Sequence, residues 1–252
     1  MTAPSSAAEL GRPYPVPMRA LTVYLESARR MFAEQLGDFD AACRDLAGTD
    51  WLDPSRLRGW SRLDLLVHVR TGMDELAATA GVRTDAAADH DAASYWVPLA
   101  DSESVTGSGA DSGGGAGVDP GDDDQVARTL WLRRTASAYG SPAGALHHFG
   151  DSAARARAVV TGATDGIVAF QGRAMSMGDF VATWVVELAI HQLDLDVGRP
   201  PVHAGLARRT VEAISGVDLP ADLDDTEAVL IAVGRIPWPA GRPLLPPYPL
   251  DL

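Results

Sequence analysis

The 252-residue sequence predicts an all-α protein, an antiparallel four-helix bundle with a long flexible crossover and a short C-terminal extension. Three observations carry this expectation. Apolar residues recur at intervals of three and four over several stretches, the period of a helix with one buried face. Those stretches begin at capping residues and stop at glycine or proline. Apolar residues make up 46% of the chain, ample for a core. No internal repeat is present.

Taken in order, residues 1–17 (MTAPSSAAELGRPYPVP) lack the basic start and apolar block of a secretory leader and read as a flexible arm. A first helix is expected over 18–47, where Leu21, Leu25, Ala28, Phe32, Leu36 and Phe39 follow helical spacing. Turn residues Gly48, Pro54 and Gly59 precede Ser61, an N-cap with Asp64 three positions on. That cap opens a second helix over 61–80, which stops near Gly81. The pattern then fails. Tyr95–Leu99 is apolar enough to dock on the body. Residues from about 100 to 123 are rich in Gly, Ser and Asp and read as a flexible insert, with a lid as the alternative.

Helical spacing returns over 124–139 and 142–162, the latter opened by Ser141-Pro142. Residues 167–174 are short and extended, one strand or a turn. Ser176, with Asp179 three positions on, caps the last strong helix, 177–197, and Gly198 and Pro200 end it. Modest helices over 203–216 and 224–234 and a proline-rich tail complete the chain. The expected organisation is an arm (1–17), a bundle (18–200) and a short extension (201–252), with no full second domain.

The formal net charge is −13, which disfavours nucleic acid and anionic membrane surfaces as partners. No apolar run approaches the ~18 residues of a membrane span. The basic residues are all arginine, which points to GC-rich coding. The single cysteine, Cys43, allows no internal disulfide, fits a reducing cytoplasm, and is expected to be a buried structural thiol.

Two segments carry candidate chemistry. In WVVELAIHQLDL (184–195), Glu187 and His191 are four residues apart and share one helical face with Asp194. The other faces carry Val181, Val185, Val186, Leu188, Ile190 and Leu193, so this helix should be buried all round. In GWSRLDLLVHV (59–69), His68 lies among Leu65, Leu66, Val67 and Val69, and Gly72 leaves room beside it. Two readings stay open. An E-x-x-x-H pair is also an ordinary ion pair, and a buried histidine is usually a satisfied core residue. If the two helices pack together, two imidazoles and one carboxylate form the ligand set of an open, catalytic zinc site.

The pattern G-W-S-x-x-D-L-L-x-H-V at 59–69 resembles the second-helix motif of the maleylpyruvate isomerase N-terminal domain family, within the DinB/YfiT-like superfamily of metal-binding four-helix bundles. Glu187–Leu195 resembles its fourth-helix motif, and DDTEAVLIAVGRIP (224–237) is similar to a segment that closes single-domain members. The resemblance implies one divalent metal, usually zinc, with nickel or iron as alternatives, held by His68, Glu187 and His191. It also implies mycothiol as cosubstrate, a thiol of actinobacteria, which the coding bias fits. The implied activity is a thiol S-transferase or a thiol-dependent isomerase, in which a metal-bound thiolate attacks a small electrophile. The family's maleylpyruvate isomerases carry an additional C-terminal domain. Residues 201–252 are too few for one, which argues against maleylpyruvate itself as substrate. A metal-dependent hydrolase, a biosynthetic tailoring enzyme and a non-catalytic metal-binding scaffold are the alternatives on the same bundle.

Around this site, Asp64 and Asp194 are candidates to fix an imidazole tautomer, or each only caps a helix or pairs with an arginine. Arg173 and Arg199 are candidates to hold a substrate carboxylate, and Trp184 and Trp60 to line the pocket. His147 and His148 read as structural or exposed, and His90 and His203 as solvated. The remaining expectations are a cytoplasmic monomer or homodimer acting on small molecules.

Overall fold

In the computed structural model the described residues are 17–97, 120–242, 245 and 248–250. The expected N-terminal arm, apart from its last residue, and most of the expected insert at 100–123 lie outside them.

Helix α1 (Leu25–Arg44) buries the stripe Leu25, Ala28, Phe32, Leu36, Phe39 and Ala42. It starts later than position 18 because tertiary partners take the preceding backbone donors. The amide of Arg19 donates to the Ala213 carbonyl (2.9 Å), that of Leu21 to Asp91 (3.0 Å) and that of Val23 to Asp179 (2.7 Å). Helix α2 (Arg62–Thr79) opens on a reciprocal cap. The Asp64 amide donates to Ser61 Oγ (3.1 Å), and the Ser61 amide to Asp64 Oδ2 (2.9 Å). Helix α3 (Pro120–Ser137) packs on α2 through buried Leu132 and Ala136, and the Arg133 guanidinium bonds the Gly59 carbonyl. Helix α4 (Pro142–Gly162) begins at its Ser141 cap with Pro142 in the first turn.

The extended stretch is two strands rather than one. Strands β2 (Ile167–Phe170) and β3 (Arg173–Ser176) form a hairpin, with β1 (Arg83–Thr84) antiparallel on the far side of β2. Gln171 and Gly172 both have positive φ (48° and 74°), as a two-residue turn matched to strand twist requires. Helix α5 (Met177–Asp194) follows directly, capped by Ser176, whose Oγ accepts from the Asp179 amide (3.0 Å).

Four helices form the bundle, two running each way. At their starts α1 and α5 meet through Val23 and Asp179, and further along through Gln35 and Gln192 (2.7 Å), so they run together. Phe39 meets Phe149 while Arg29 reaches the Val160 carbonyl, so α4 opposes α1. His68 meets Glu187 while Gly72 meets Trp184, so α2 opposes α5. Helices α2 and α4 therefore run the same way.

Helices α6 (Ala204–Ser215) and α7 (Asp225–Ala232) pack on each other and on α5. Arg208 ties them, donating to the carbonyls of Leu219, Pro220 and Leu223 and pairing with Glu212. The core is continuous from the bundle through Leu206, Val211, Val229 and Ile231 of this extension. Among the described residues no helix is long and apolar enough to cross a membrane. Cys43 is fully buried and its thiol pKa is pushed far up by burial, as a structural thiol's would be.

Candidate metal centre

Antiparallel packing of α2 on α5 brings His68, Glu187 and His191 together, each offering one ligand atom within 4.8 Å of the others. Glu187 Oε1 lies 3.0 Å from His68 Nε2 and 3.2 Å from His191 Nε2. The imidazole rings stand edge to face at 4.8 Å. Zinc bonds of about 2.0–2.1 Å at tetrahedral angles separate neighbouring donors by about 3.3 Å, so both carboxylate–imidazole spacings stand near what a cation needs. The donor set, two neutral nitrogens and one carboxylate oxygen, also suits a borderline divalent cation. These residues therefore fit a metal.

The electrostatics follow from burial and proximity. Burial pushes the Glu187 carboxyl up, but the charge and hydrogen bonds of His191 and His68 outweigh it and hold it well below the usual carboxylate range. Burial lowers His191, but Glu187 and Asp194 overcome that and push it up to about 9. Without a metal, the two carboxylates flanking His191 favour its protonated form.

Asp194 is wholly buried and stands 3.2 Å from His191 Nδ1. It therefore holds the far nitrogen of that imidazole and leaves Nε2 facing Glu187. Asp64 does not share this role. Its carboxylate accepts from the amide and hydroxyl of Ser61, because its place in the first turn of α2 puts it next to unsatisfied amides. Trp60 stands edge-on to His68 at 5.4 Å.

A cavity of about 750 Å³ opens over the three donors. Trp184 lines it, wedged against Gly72, where a Cβ would stand 2.8 Å from the indole. The space beside His68 is therefore occupied in part by Trp184. Neither arginine proposed from sequence lines this cavity. Arg173 donates to the carbonyls of Val97 (2.9 Å) and Gln171 (3.2 Å) and lies over the Tyr95 ring. It pins the hairpin to the segment after β1, placing Tyr95 and Trp96 in the cavity wall. Arg199 pairs with Asp45 (3.1 Å) and Asp38 (3.4 Å) beyond the end of α5. Among the described residues the arginines in the wall are Arg56, Arg58 and Arg235. Arg56 is held by Asp196 and Arg235 by Asp194. Exposed Arg58 has no hydrogen-bond or ion-pair partner among the described residues. Arg235 lies inside the 224–237 segment whose spelling already stood out; Arg56 and Arg58 sit in a turn with no spelling of their own.

None of the other four histidines lines this cavity. His147 is exposed beside Asp151, and His148 Nδ1 lies 2.8 Å from the Tyr139 hydroxyl. His90 and His203 are half-buried rather than solvated. His90 pairs with Asp89 beside the hairpin, and His203 with Glu34 of α1 (2.9 Å), because both loops fold back onto the body.

Fold and donor set together define a helical bundle built around a candidate divalent-metal centre. The chain belongs to the mycothiol maleylpyruvate isomerase N-terminal domain family, whose profile matches residues 32–196. Two crystal structures of a mycothiol-dependent maleylpyruvate isomerase, one a histidine-to-alanine variant, are similar at 16% identity. Each similarity covers 75% of this chain and 68% of the other, with TM-scores of 0.49 for the variant and 0.47. No curated protein matches the sequence significantly.

Proposed function

We propose that this protein is a zinc-dependent enzyme that uses a low-molecular-weight thiol, mycothiol, to transform a small electrophile, either as an isomerase or as an S-transferase. The observation that carries the reading is the convergence of His68, Glu187 and His191 at the floor of a cavity of about 750 Å³. That volume is within the range of small-molecule sites, roughly 300–1,000 Å³, with room for a thiol cosubstrate and a small second substrate. Membership of a family described by mycothiol and maleylpyruvate isomerase supports the choice of thiol and reaction.

His68, Glu187 and His191 would hold the metal. When bound, it supplies Lewis acidity that shifts a coordinated thiol toward its nucleophilic, deprotonated form near neutral pH. Asp194 keeps a proton on His191 Nδ1, so Nε2 offers its lone pair. Trp184 and Trp60 keep bulk water from one side of the cavity. Arg58, an exposed guanidinium at the cavity wall with no ion-pair partner among the described residues, receives a carboxylate of the electrophile.

The test is incubation of zinc-loaded protein with mycothiol and two acceptors, a bimane halide and a cis-configured conjugated keto-acid. Thiol conjugate, or cis–trans conversion that requires mycothiol, supports the reading. Hydrolysis of either acceptor without thiol would replace it with a metal-dependent hydrolase. His68→Ala should abolish metal and turnover together.

A further inference from the structure

Asp194 is a fully buried carboxylate, and a single imidazole is a small counterweight for a charge in that position. Its second partner comes from outside the bundle. Arg235 donates from Nε to Asp194 Oδ1 (2.9 Å) and from Nη2 to Asp194 Oδ2 (3.4 Å), engaging both oxygens from one fork. The fork is itself held, since Nη1 donates to the Val233 carbonyl (2.9 Å).

The backbone explains how the arginine reaches this point. Helix α7 ends on a left-handed glycine, Gly234 (φ 69°). The Gly234 amide donates to the Ile231 carbonyl (3.1 Å) and the Arg235 amide to the Leu230 carbonyl (2.8 Å). This pair of bonds is the glycine-terminated helix stop that reverses the chain. Arg235 is therefore turned back toward the end of α5 rather than carried into the tail.

We propose that Arg235 is a positioning residue of the metal centre: its fork fixes Asp194, Asp194 fixes the ring of His191, and the C-terminal extension is thereby a working part of the site. The inference rests on the metal-centre reading above. It assigns to the segment after α7 a task on the metal side of the cavity.

The probe is zinc alone, its affinity measured by competition with a chromophoric chelator, together with the visible spectrum of the cobalt-substituted protein. Arg235→Met should weaken zinc binding about ten- to a hundredfold, the usual effect of losing a partner that orients a ligand, and should alter the cobalt bands. Arg235→Lys keeps charge but loses the fork and should fall in between. Arg208→Met also loosens the extension, yet should leave zinc affinity and the cobalt spectrum unchanged. Combining Arg235→Met with Asp194→Asn should cost little more than either change alone, because the two act in one chain. Wild-type affinity and spectrum in Arg235→Met, with His68→Ala still unable to bind, would overturn the positioning role and leave the metal centre standing. Equal losses in Arg208→Met and Arg235→Met would reduce Arg235 to a structural tie. If wild type and His68→Ala bind zinc alike, the centre itself falls, and this inference with it.

Discussion

Glu187 is the hinge of the candidate centre, because a single oxygen of its carboxylate faces both imidazoles. Glu187→Gln removes the negative charge while keeping the shape, so zinc affinity should fall by orders of magnitude while the helical circular dichroism persists. Equilibrium dialysis against zinc checks this. The same cluster sets a pH dependence with a definite sign. His191 is raised from its ordinary 6.5 to about 9 in the metal-free site by Glu187 and Asp194, against the opposing effect of burial. Its protonated form therefore stabilises the fold fully below pH 6.5, and that contribution is lost as pH rises through about 9. A metal competes with the same proton, so zinc uptake should tighten across that window while the metal-free fold weakens. Urea titrations with and without chelator would show the two curves diverging as pH rises. Parallel curves would mean that His191 does not exchange a proton for the metal.

At the level of helices, α2 joins a local signal to a non-local one. Its cap is local, and Asp64 belongs to it. Asp64→Ala should cost about 1 kcal/mol of stability, as lost caps do, with zinc affinity unchanged. Thermal melts and zinc competition on one preparation separate that outcome from a ligand-orienting role. Gly72 is the non-local half. Alanine there gains ~1 kcal/mol of helix propensity, but its Cβ would meet Trp184 at 2.8 Å. The indole is backed by Phe170 and Phe180 at centroid distances of 6.0 and 6.3 Å, so it has little room to yield. Overpacking costs ~1–3 kcal/mol, and the steric effect should win. Gly72→Ala should melt lower, with altered tryptophan fluorescence. Helices α2, α4 and α5 were legible in the sequence because each announces itself with a serine cap and helical spacing. The hairpin was legible only as an extended stretch, since β2 and β3 are four residues each and the third strand lies at 83–84. The start of α1 was not legible, because Asp91, Asp179 and Ala213 decide it from far along the chain.

For the molecule as a whole, the extension shares the core of the bundle. Leu206, Val211, Val229 and Ile231 are all buried, and α6 and α7 both lie on α5. Each such side chain contributes ~1.5–3 kcal/mol when fully buried, so losing several together rivals the ~5–15 kcal/mol that holds a whole domain. A chain ended at residue 200 should therefore aggregate or unfold without cooperativity rather than persist as a free bundle. A sharp calorimetric transition in that truncation would make 201–252 an accessory.

The sequence by itself determined the helices that matter and nominated the three candidate donors of the site. Helical spacing and caps act within a few residues, and His68, Glu187 and His191 are polar groups in stretches too apolar to leave them without a task. Tertiary structure decided which charge serves which partner. Arg173 and Arg199 flank α5 in sequence yet bind elsewhere, Asp64 turns to its own cap, and Arg235 arrives from 41 positions beyond Asp194 to hold it. The reason is reach. A guanidinium on a long side chain pairs with whatever carboxylate or carbonyl the packing brings near, and that neighbourhood exists only once the helices have met.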